Sequence, residues 1–257
     1  YLEFCLNSPR AARMGFTNAE LTKLAVNTFV TTKISYANML TQICEQIDGA
    51  NVDVVTSALG LDTRIGSKYL KGGLGYGGPC FPRDNIALAT FAKSVGADAT
   101  LAEATDAVNR LQVPRVAELA LRYHESGGRV GILGLAYKPD SEVLEEAQGL
   151  QIAQAISNLG IAVTVHDPMA LQGARDRLNG DILFASSISE CIENSQVILI
   201  TTPWQEYKAI DPKLFASLSE PAVVIDCWRL YEEGSMPSDV LYVQLGREPG
   251  SRSGLQS

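Results

Sequence analysis

Arg129-Val-Gly-Ile-Leu-Gly134 sets the fold class of this chain. Val130 to Leu133 form a short apolar run closed by a glycine, the pattern of a buried strand rather than of a helix. Working outward, the pattern repeats. A helix is predicted over about Ala147 to Leu159. Further strands follow at Ala162-Val-Thr-Val-His-Asp167, Ile182-Leu-Phe-Ala185, Val197-Ile-Leu-Ile-Thr201 and Ala222-Val-Val-Ile-Asp226. Buried strands alternating with helices predict a parallel, doubly wound sheet. Ligands of such sheets bind beyond the strand carboxyl ends, and Lys138, Asp167, Thr201, Thr202 and Asp226 all fall at or near those ends.

Upstream of Arg129 the signals are helical. Asn18 reads as a helix cap, opening a helix to about Ile47. A second helix is predicted from about Val52 to Leu59, closed by Gly60. A third should run from about Asp84 to Val95, closed by Gly96. A long one should span about Thr100 to His124, kinked by Pro114 and ended by Ser126-Gly-Gly128. Residues 1–17 carry little pattern.

Composition bounds the function. The chain has 257 residues, 46% hydrophobic and 19% charged, an ordinary soluble balance with room for one large or two ordinary domains. A net charge of −8 without a basic stripe argues against nucleic acid as a partner. No apolar run reaches the length of a membrane span. Five cysteines, an odd number without C-x-x-C, signal neither a disulfide frame nor a zinc site, and only His124 and His166 are present to ligate a metal. No metal is expected, and a reducing cytoplasm is the expected compartment. The chain begins at Tyr1 with neither Met nor a signal-peptide pattern, as a fragment would.

The chemistry concentrates in Lys71-Gly-Gly-Leu-Gly-Tyr-Gly-Gly-Pro-Cys-Phe-Pro-Arg-Asp84, with five glycines between positions 72 and 78. Glycine permits φ > 0 and close approach to the backbone, so this is a shaped loop. Pro82 and Asp84 are helix-start signals, which puts Cys80 just ahead of a helix N-terminus, where the thiolate is favoured. Cys80 is then either a small buried hydrophobe or a nucleophile beside a glycine cradle. Gly73-x-Gly75-x-x-Gly78 formally fits the dinucleotide fingerprint, but no convincing strand precedes it and Pro79-Cys80 follows, so the NAD reading of these glycines fails. Gly131-x-x-Gly134-x-Ala136 is an incomplete fingerprint, and the spacing from Gly134 to Asp167 is loose for the usual acidic ribose ligand. Lys23 and Asn27, four apart, project from one helix face.

Gly75-Tyr-Gly-Gly-Pro-Cys-Phe-Pro-Arg-Asp84 resembles the nucleophile loop of the UDP-glucose/GDP-mannose dehydrogenase family. Ala19-Glu-Leu-Thr-Lys-Leu-Ala-Val-Asn27, Thr32-Lys-Ile-Ser-Tyr36, Gly60-Leu-Asp-Thr-Arg-Ile-Gly66 and Gly131-Ile-Leu-Gly-Leu-Ala-Tyr-Lys-Pro139 are similar to that family in the same order, from about Asn18 to about Leu230. The resemblance implies an α/β chain: an all-helical middle, dimerising domain (1–97), a connecting helix (98–125), a Rossmann-like domain holding the nucleotide sugar (126–250) and a disordered tail (251–257). It implies oxidation of the C6 alcohol of a UDP- or GDP-sugar to a carboxylate, with two NAD, in the complete protein. NAD would bind mainly to an N-terminal domain absent from this chain, which alone would be inactive. By the same resemblance Cys80 is the nucleophile, forming a thiohemiacetal and then a thioester. Lys23 stabilises the oxyanion, Asn27 holds the water or the sugar, and Asp84 positions or activates water. Arg64 reaches across a homodimer interface to the substrate, and Tyr69, Leu70, Lys71, Tyr76, Gly77 and Lys138 contact it.

Two departures stand out. Glu145 occupies the position where the family carries an arginine that approaches NAD, and a carboxylate there would repel the cofactor pyrophosphate. The family run Val-Ile-Asp-Gly-Arg is here Val224-Ile-Asp-Cys-Trp-Arg229, so Arg229 takes the place of the substrate arginine one residue later. The alternatives to an enzyme are a non-catalytic nucleotide-sugar-binding or regulatory module and, more weakly, a structural dimerisation fragment. The sequence does not choose among UDP-glucose, UDP-N-acetyl sugars and GDP-mannose.

Overall fold

A computed structural model describes residues 11–248; residues 1–10 and the tail expected to be disordered lie outside them. The chain is an α/β structure, helical first and then built on a parallel sheet. In the helical half, α1 (Phe16–Cys44), α2 (Val52–Leu61), α3 (Phe81–Ser94) and α4 (Thr100–Arg110) pack together, with α1 against α2, α3 and α4. α5 (Gln112–Leu121) continues from α4 and packs on α6 (Gln148–Asn158) of the second half.

The boundaries differ from the sequence reading where one signal competes with another. α1 starts at Phe16 behind Gly15, and Asn18 lies inside the first turn rather than capping it. Gly60 does not end α2, which runs one residue further and stops at Asp62 in extended conformation. α3 begins at Phe81, three residues earlier than expected, with Cys80 as its N-cap and Pro82 in its first turn. The long helix breaks at Leu111, not at Pro114. Pro114 has no N–H for the carbonyl of Arg110 four residues back, so the ladder fails there rather than at the ring.

α1 is built inside out. Its buried face carries Thr28, Thr31, Ser35, Asn38 and Thr41 at helical spacing. These side chains find partners: the Ser35 hydroxyl donates to the Thr105 carbonyl at 2.9 Å, and Thr31 exchanges hydrogen bonds with Asn85. Val26, Phe29, Tyr36, Met39, Ile43 and Ile47 instead face outward along and just beyond the helix, Phe29 at 66% exposure.

The second half is a six-stranded, all-parallel sheet in the order β3-β2-β1-β4-β5-β6. Its strands are β1 (Val130–Leu133), β2 (Val163–His166), β3 (Ile182–Phe184), β4 (Val197–Ile200), β5 (Val223–Asp226) and β6 (Leu241–Gln244). The first five match the sequence reading closely; β6 was not foreseen. Strands β1, β2, β4 and β5 are buried at every position, and Ile132, Leu133, Ile198, Leu199, Ile200 and Ile225 form the dry centre of the core. The strand order reverses between β1 and β4, so the crevice for a ligand opens beyond their carboxyl ends.

Candidate active-site cleft

The glycine-rich loop threads between the two halves and is held from both. On the helical side, Asn38, fully buried, accepts from the Gly73 N–H at 2.9 Å and donates to the Leu74 carbonyl at 3.1 Å. Asn109 of α4 accepts from Tyr76 N–H at 2.8 Å and donates to its carbonyl at 3.0 Å. From the sheet side, Gln148 accepts from Gly75 N–H at 2.8 Å, and the Glu145 carbonyl accepts from Gly78 N–H at 2.9 Å. Packing space, more than unusual torsion, requires these glycines. A Cβ on Gly75 would overlap both Asn109 Oδ1 and the Gln148 amide, and one on Gly77 the Glu146 carbonyl. Gly78 alone of the five sits at positive φ (+81°), with Tyr137 closed over it.

The loop delivers Cys80 to the start of α3, where its thiol is exposed. Asp84 follows one turn later, its N–H donating to the Cys80 carbonyl at 2.9 Å. The Asp84 carboxylate is buried and takes an ion pair from Lys23, a hydrogen bond from Asn27 at 2.5 Å and a weaker contact from Arg83 at 3.5 Å. Burial by itself would raise this carboxyl, but hydrogen bonds from Lys23 and Asn27 and the lysine charge outweigh it and hold it below the usual carboxylate range. Lys23, Asn27 and Asp84 are thus one cluster, a helical turn beyond Cys80.

Beside the loop lies a cavity of about 440 Å³, lined among others by Tyr69, Lys71, Tyr76, Gly77 and Lys138, a volume suited to a small organic ligand. Its walls also include Ile34, Leu74, Gly75, Phe81, Tyr137 and Trp228. Phe81 meets Tyr69 and Tyr76 edge-on, with ring centroids 6.3 and 6.2 Å apart. The Lys138 ammonium lies 5.6 Å from the Tyr137 ring centroid, within cation–π range. Tyr69, in the cavity wall, is one of four non-glycine residues at positive φ among the described residues (+62°); such strain concentrates at functional sites.

Other expected residues sit elsewhere. Leu70 is buried and outside the cavity lining. Arg64 is exposed and forked onto Asp62, at 2.5 Å from Nη2. Arg229, expected to meet substrate, has a side chain only 1% exposed: its guanidinium clamps Asp53 at 2.6 and 2.9 Å and donates to the Gly72 and Leu245 carbonyls, both at 2.7 Å. Its neighbour Trp228 reaches the cavity instead, a residue whose insertion was visible in sequence but whose role was not. Glu145 has an exposed side chain and acts on the loop through its carbonyl.

The turn after β1 does not fit a dinucleotide pyrophosphate. Its N–H groups at Leu135 and Ala136 donate to the buried Asp167 carboxylate at 2.7 and 3.0 Å. The same carboxylate takes Met169 and Ala170 N–H at 2.9 and 2.7 Å. The donors a phosphate would need are therefore spent on a fixed negative charge, and α6 begins only at Gln148, well past the turn. Thr201 and Thr202 tie the ends of β1 and β4 together through the Gly134 and Ala136 carbonyls. Among the described residues, no cluster of His, Cys, Asp and Glu could hold a metal ion, and no helix is long and apolar enough to cross a membrane.

Residues 17–111 match the family model described as UDP-glucose/GDP-mannose dehydrogenase family, central domain, and residues 131–233 match the model of its UDP binding domain. A UDP-glucose 6-dehydrogenase of Bacillus subtilis is 35% identical over 90% of this chain and 50% of its own length. One from Haloferax volcanii is 36% identical over 87% and 51%. The solved structure of a UDP-glucose dehydrogenase from Pyrobaculum islandicum superposes with a TM-score of 0.78 at 31% identity, covering 90% of this chain and 51% of that one. The chain spans about half the length of the curated relatives it matches.

Proposed function

Since the chain belongs to the UDP-glucose/GDP-mannose dehydrogenase family, we propose that it is the substrate-binding and catalytic-cysteine portion of an NAD-dependent enzyme that oxidises the C6 alcohol of UDP-glucose to a carboxylate. The observation that carries this reading is one arrangement. A cavity with two cationic walls, Lys71 and Lys138, and several aromatic ones lies against the loop that ends in an exposed Cys80. The Lys23–Asn27–Asp84 cluster stands one turn further on. The lysines suit a diphosphate, and the aromatic faces suit a base and a sugar.

In this reading Cys80, exposed at the N-cap of α3, is the nucleophile. The sulfur adds to the carbonyl carbon of the C6 aldehyde, and the carbonyl electron pair moves onto oxygen, where the Lys23 ammonium stabilises it. At the thioester stage water attacks the same carbon, the C–S bond breaks and the thiolate leaves. Asp84 stays ionised because its pKa is lowered. It is then a weak base, better suited to orienting Lys23, Asn27 and a water than to taking a proton. NAD is the hydride acceptor that the resemblance implies. The turn after β1 does not suit it, so NAD is held by residues outside this chain, and the chain alone does not turn over.

The domain division given above is part of the same proposal, as is a homodimer. The exposed apolar stripe of α1, from Val26 to Ile43, is the face that a second copy would cover, and exposed Arg64 lies on the same half. A reducing cytoplasm accords with the four free cysteines among the described residues. The test is Cys80→Ser in the complete dehydrogenase. It should abolish the four-electron oxidation of UDP-glucose while leaving its binding intact; retained NADH production would remove the assignment.

A further inference from the structure

Asn85 follows Asp84 in α3, is only 1% exposed and has no part in the reaction above. Its amide nitrogen reaches acceptors on three elements. It lies 2.8 Å from Thr31 Oγ1 in α1, 3.1 Å from the Tyr76 hydroxyl in the glycine loop and 3.1 Å from the Phe81 carbonyl in the first turn of α3. Its two N–H bonds serve these three acceptors, so the amide is fully engaged. The Asn85 carbonyl oxygen in turn lies 3.2 Å from Thr31 Oγ1. A buried polar side chain satisfied in this way holds its neighbours in one arrangement.

The three partners surround the nucleophile. Lys23, Asn27 and Thr31 stand four apart on one face of α1. Lys23 and Asn27 meet Asp84, and Thr31 meets Asn85, so the seam that fixes the Asp84 carboxylate continues into Asn85. Phe81 follows Cys80 directly, and Cys80 caps α3 without a side-chain hydrogen bond. Pro82 brings no N–H to this first turn. The turn is tied down by the Asp84 N–H on the Cys80 carbonyl and by the Asn85 amide on the Phe81 carbonyl. Tyr76 and Phe81 also line the cavity, their rings edge-on with centroids 6.2 Å apart. One amide thus fixes the cavity wall and the turn that carries Cys80 relative to each other.

We propose that Asn85 is a positioning residue for the reaction: it sets the place of the Cys80 sulfur relative to a ligand seated in the cavity. The proposal rests on the catalytic-cysteine reading above. Asn85 does not line the cavity and acts through Phe81 and Tyr76. Without its amide, Asn109 still clamps the Tyr76 backbone from both sides, so the wall that binds a ligand persists. The turn that carries Cys80 loses its tie to that wall. A misplacement of about 1 Å between reacting groups costs about 100-fold in rate. An interaction that matters only in the transition state lowers kcat without raising KM.

The test is Asn85→Leu, which keeps a branched side chain and removes the amide, in the complete dehydrogenase acting on UDP-glucose. There kcat should fall by about 100-fold while KM stays within about threefold of the unaltered enzyme. Calorimetric titration should show UDP-glucose bound at unchanged stoichiometry, so that the fall is not a loss of folded protein. A readout without turnover uses this chain and iodoacetamide, with alkylation of Cys80 followed by peptide mass. Saturating UDP-glucose should protect Cys80 in the unaltered chain, and Asn85→Leu should lose most of that protection while still binding the sugar nucleotide. Thr31→Val removes one partner and should give a smaller fall in kcat at unchanged KM; it decides the question where Asn85→Leu does not fold. An unchanged kcat in the folded variant, or a fall matched by lost binding stoichiometry, overturns the positioning role alone. Retained four-electron oxidation by Cys80→Ser removes the catalytic-cysteine reading, and this proposal with it.

Discussion

Arg229→Met separates a structural arginine from a ligand-binding one. The substitution keeps the side-chain stem and removes a guanidinium that makes two bonds to Asp53 and one each to the Gly72 and Leu245 carbonyls. It leaves Asp53 unpaired, and breaking a buried pair from one side costs about 3–5 kcal/mol. Asp53 keeps 38% of its side-chain exposure, so water recovers part of that, and about 3 kcal/mol is expected. For a chain of this size about 2–4 °C accompanies each kcal/mol, giving a fall in Tm of about 6–12 °C by scanning calorimetry. The pH dependence carries a sign. Burial raises the Asp53 carboxyl, but the Arg229 hydrogen bond and charge outweigh it and hold it low. A lowered carboxylate stabilises the fold above its unfolded pKa and loses that contribution as pH falls through the folded one. The gap between wild type and variant should therefore narrow below about pH 4. A Tm within about 2 °C of wild type, with nucleotide affinity down tenfold or more, would refute the clamp and return Arg229 to the ligand.

Three further outcomes follow from the same contacts. Gly75→Ala should destabilise by about 1–3 kcal/mol in urea titration, because its methyl collides with the two amides that hold the loop; an unchanged midpoint would mean that the loop has slack there. Asp84→Asn should weaken the fold at pH 7 by about 1–2 kcal/mol. Since the Asp84 pKa is lowered, that deficit should shrink as pH falls below about 4, and a deficit independent of pH would contradict the pairing with Lys23. Phe29→Glu, placed in the exposed stripe of α1, should shift sedimentation from twice the chain mass to the chain mass, whereas a monomeric wild type would remove the dimer proposal.

The sheet was legible because each central strand is a short run, mostly Val, Ile and Leu, bounded by turn signals. Strand β6 escaped because Leu241-Tyr-Val-Gln244 ends in a polar residue and follows a stretch rich in Gly, Ser, Pro and Asp that reads as a loop. Cys80, Lys23, Asn27 and Asp84 were nameable through the family resemblance, but their ion pair joins residues 61 apart and needed coordinates. The same limit hid the work of Asn38, Asn109 and Gln148, three side chains from three helices that hold one loop. It also misdirected Arg229, whose partner Asp53 lies 176 residues away. Local pattern reports the element a residue belongs to, while the partners that set its role come from distant parts of the chain.

The most direct test of the account is calorimetric titration of this chain with UDP-glucose, UDP-N-acetylmannosamine, GDP-mannose and NAD. The account predicts saturable binding of UDP-glucose in preference to GDP-mannose, lost on replacing Lys138 with Ala, and no binding of NAD. Binding of NAD without any sugar nucleotide would contradict both the cleft as the substrate site and the turn after β1 as closed to a dinucleotide.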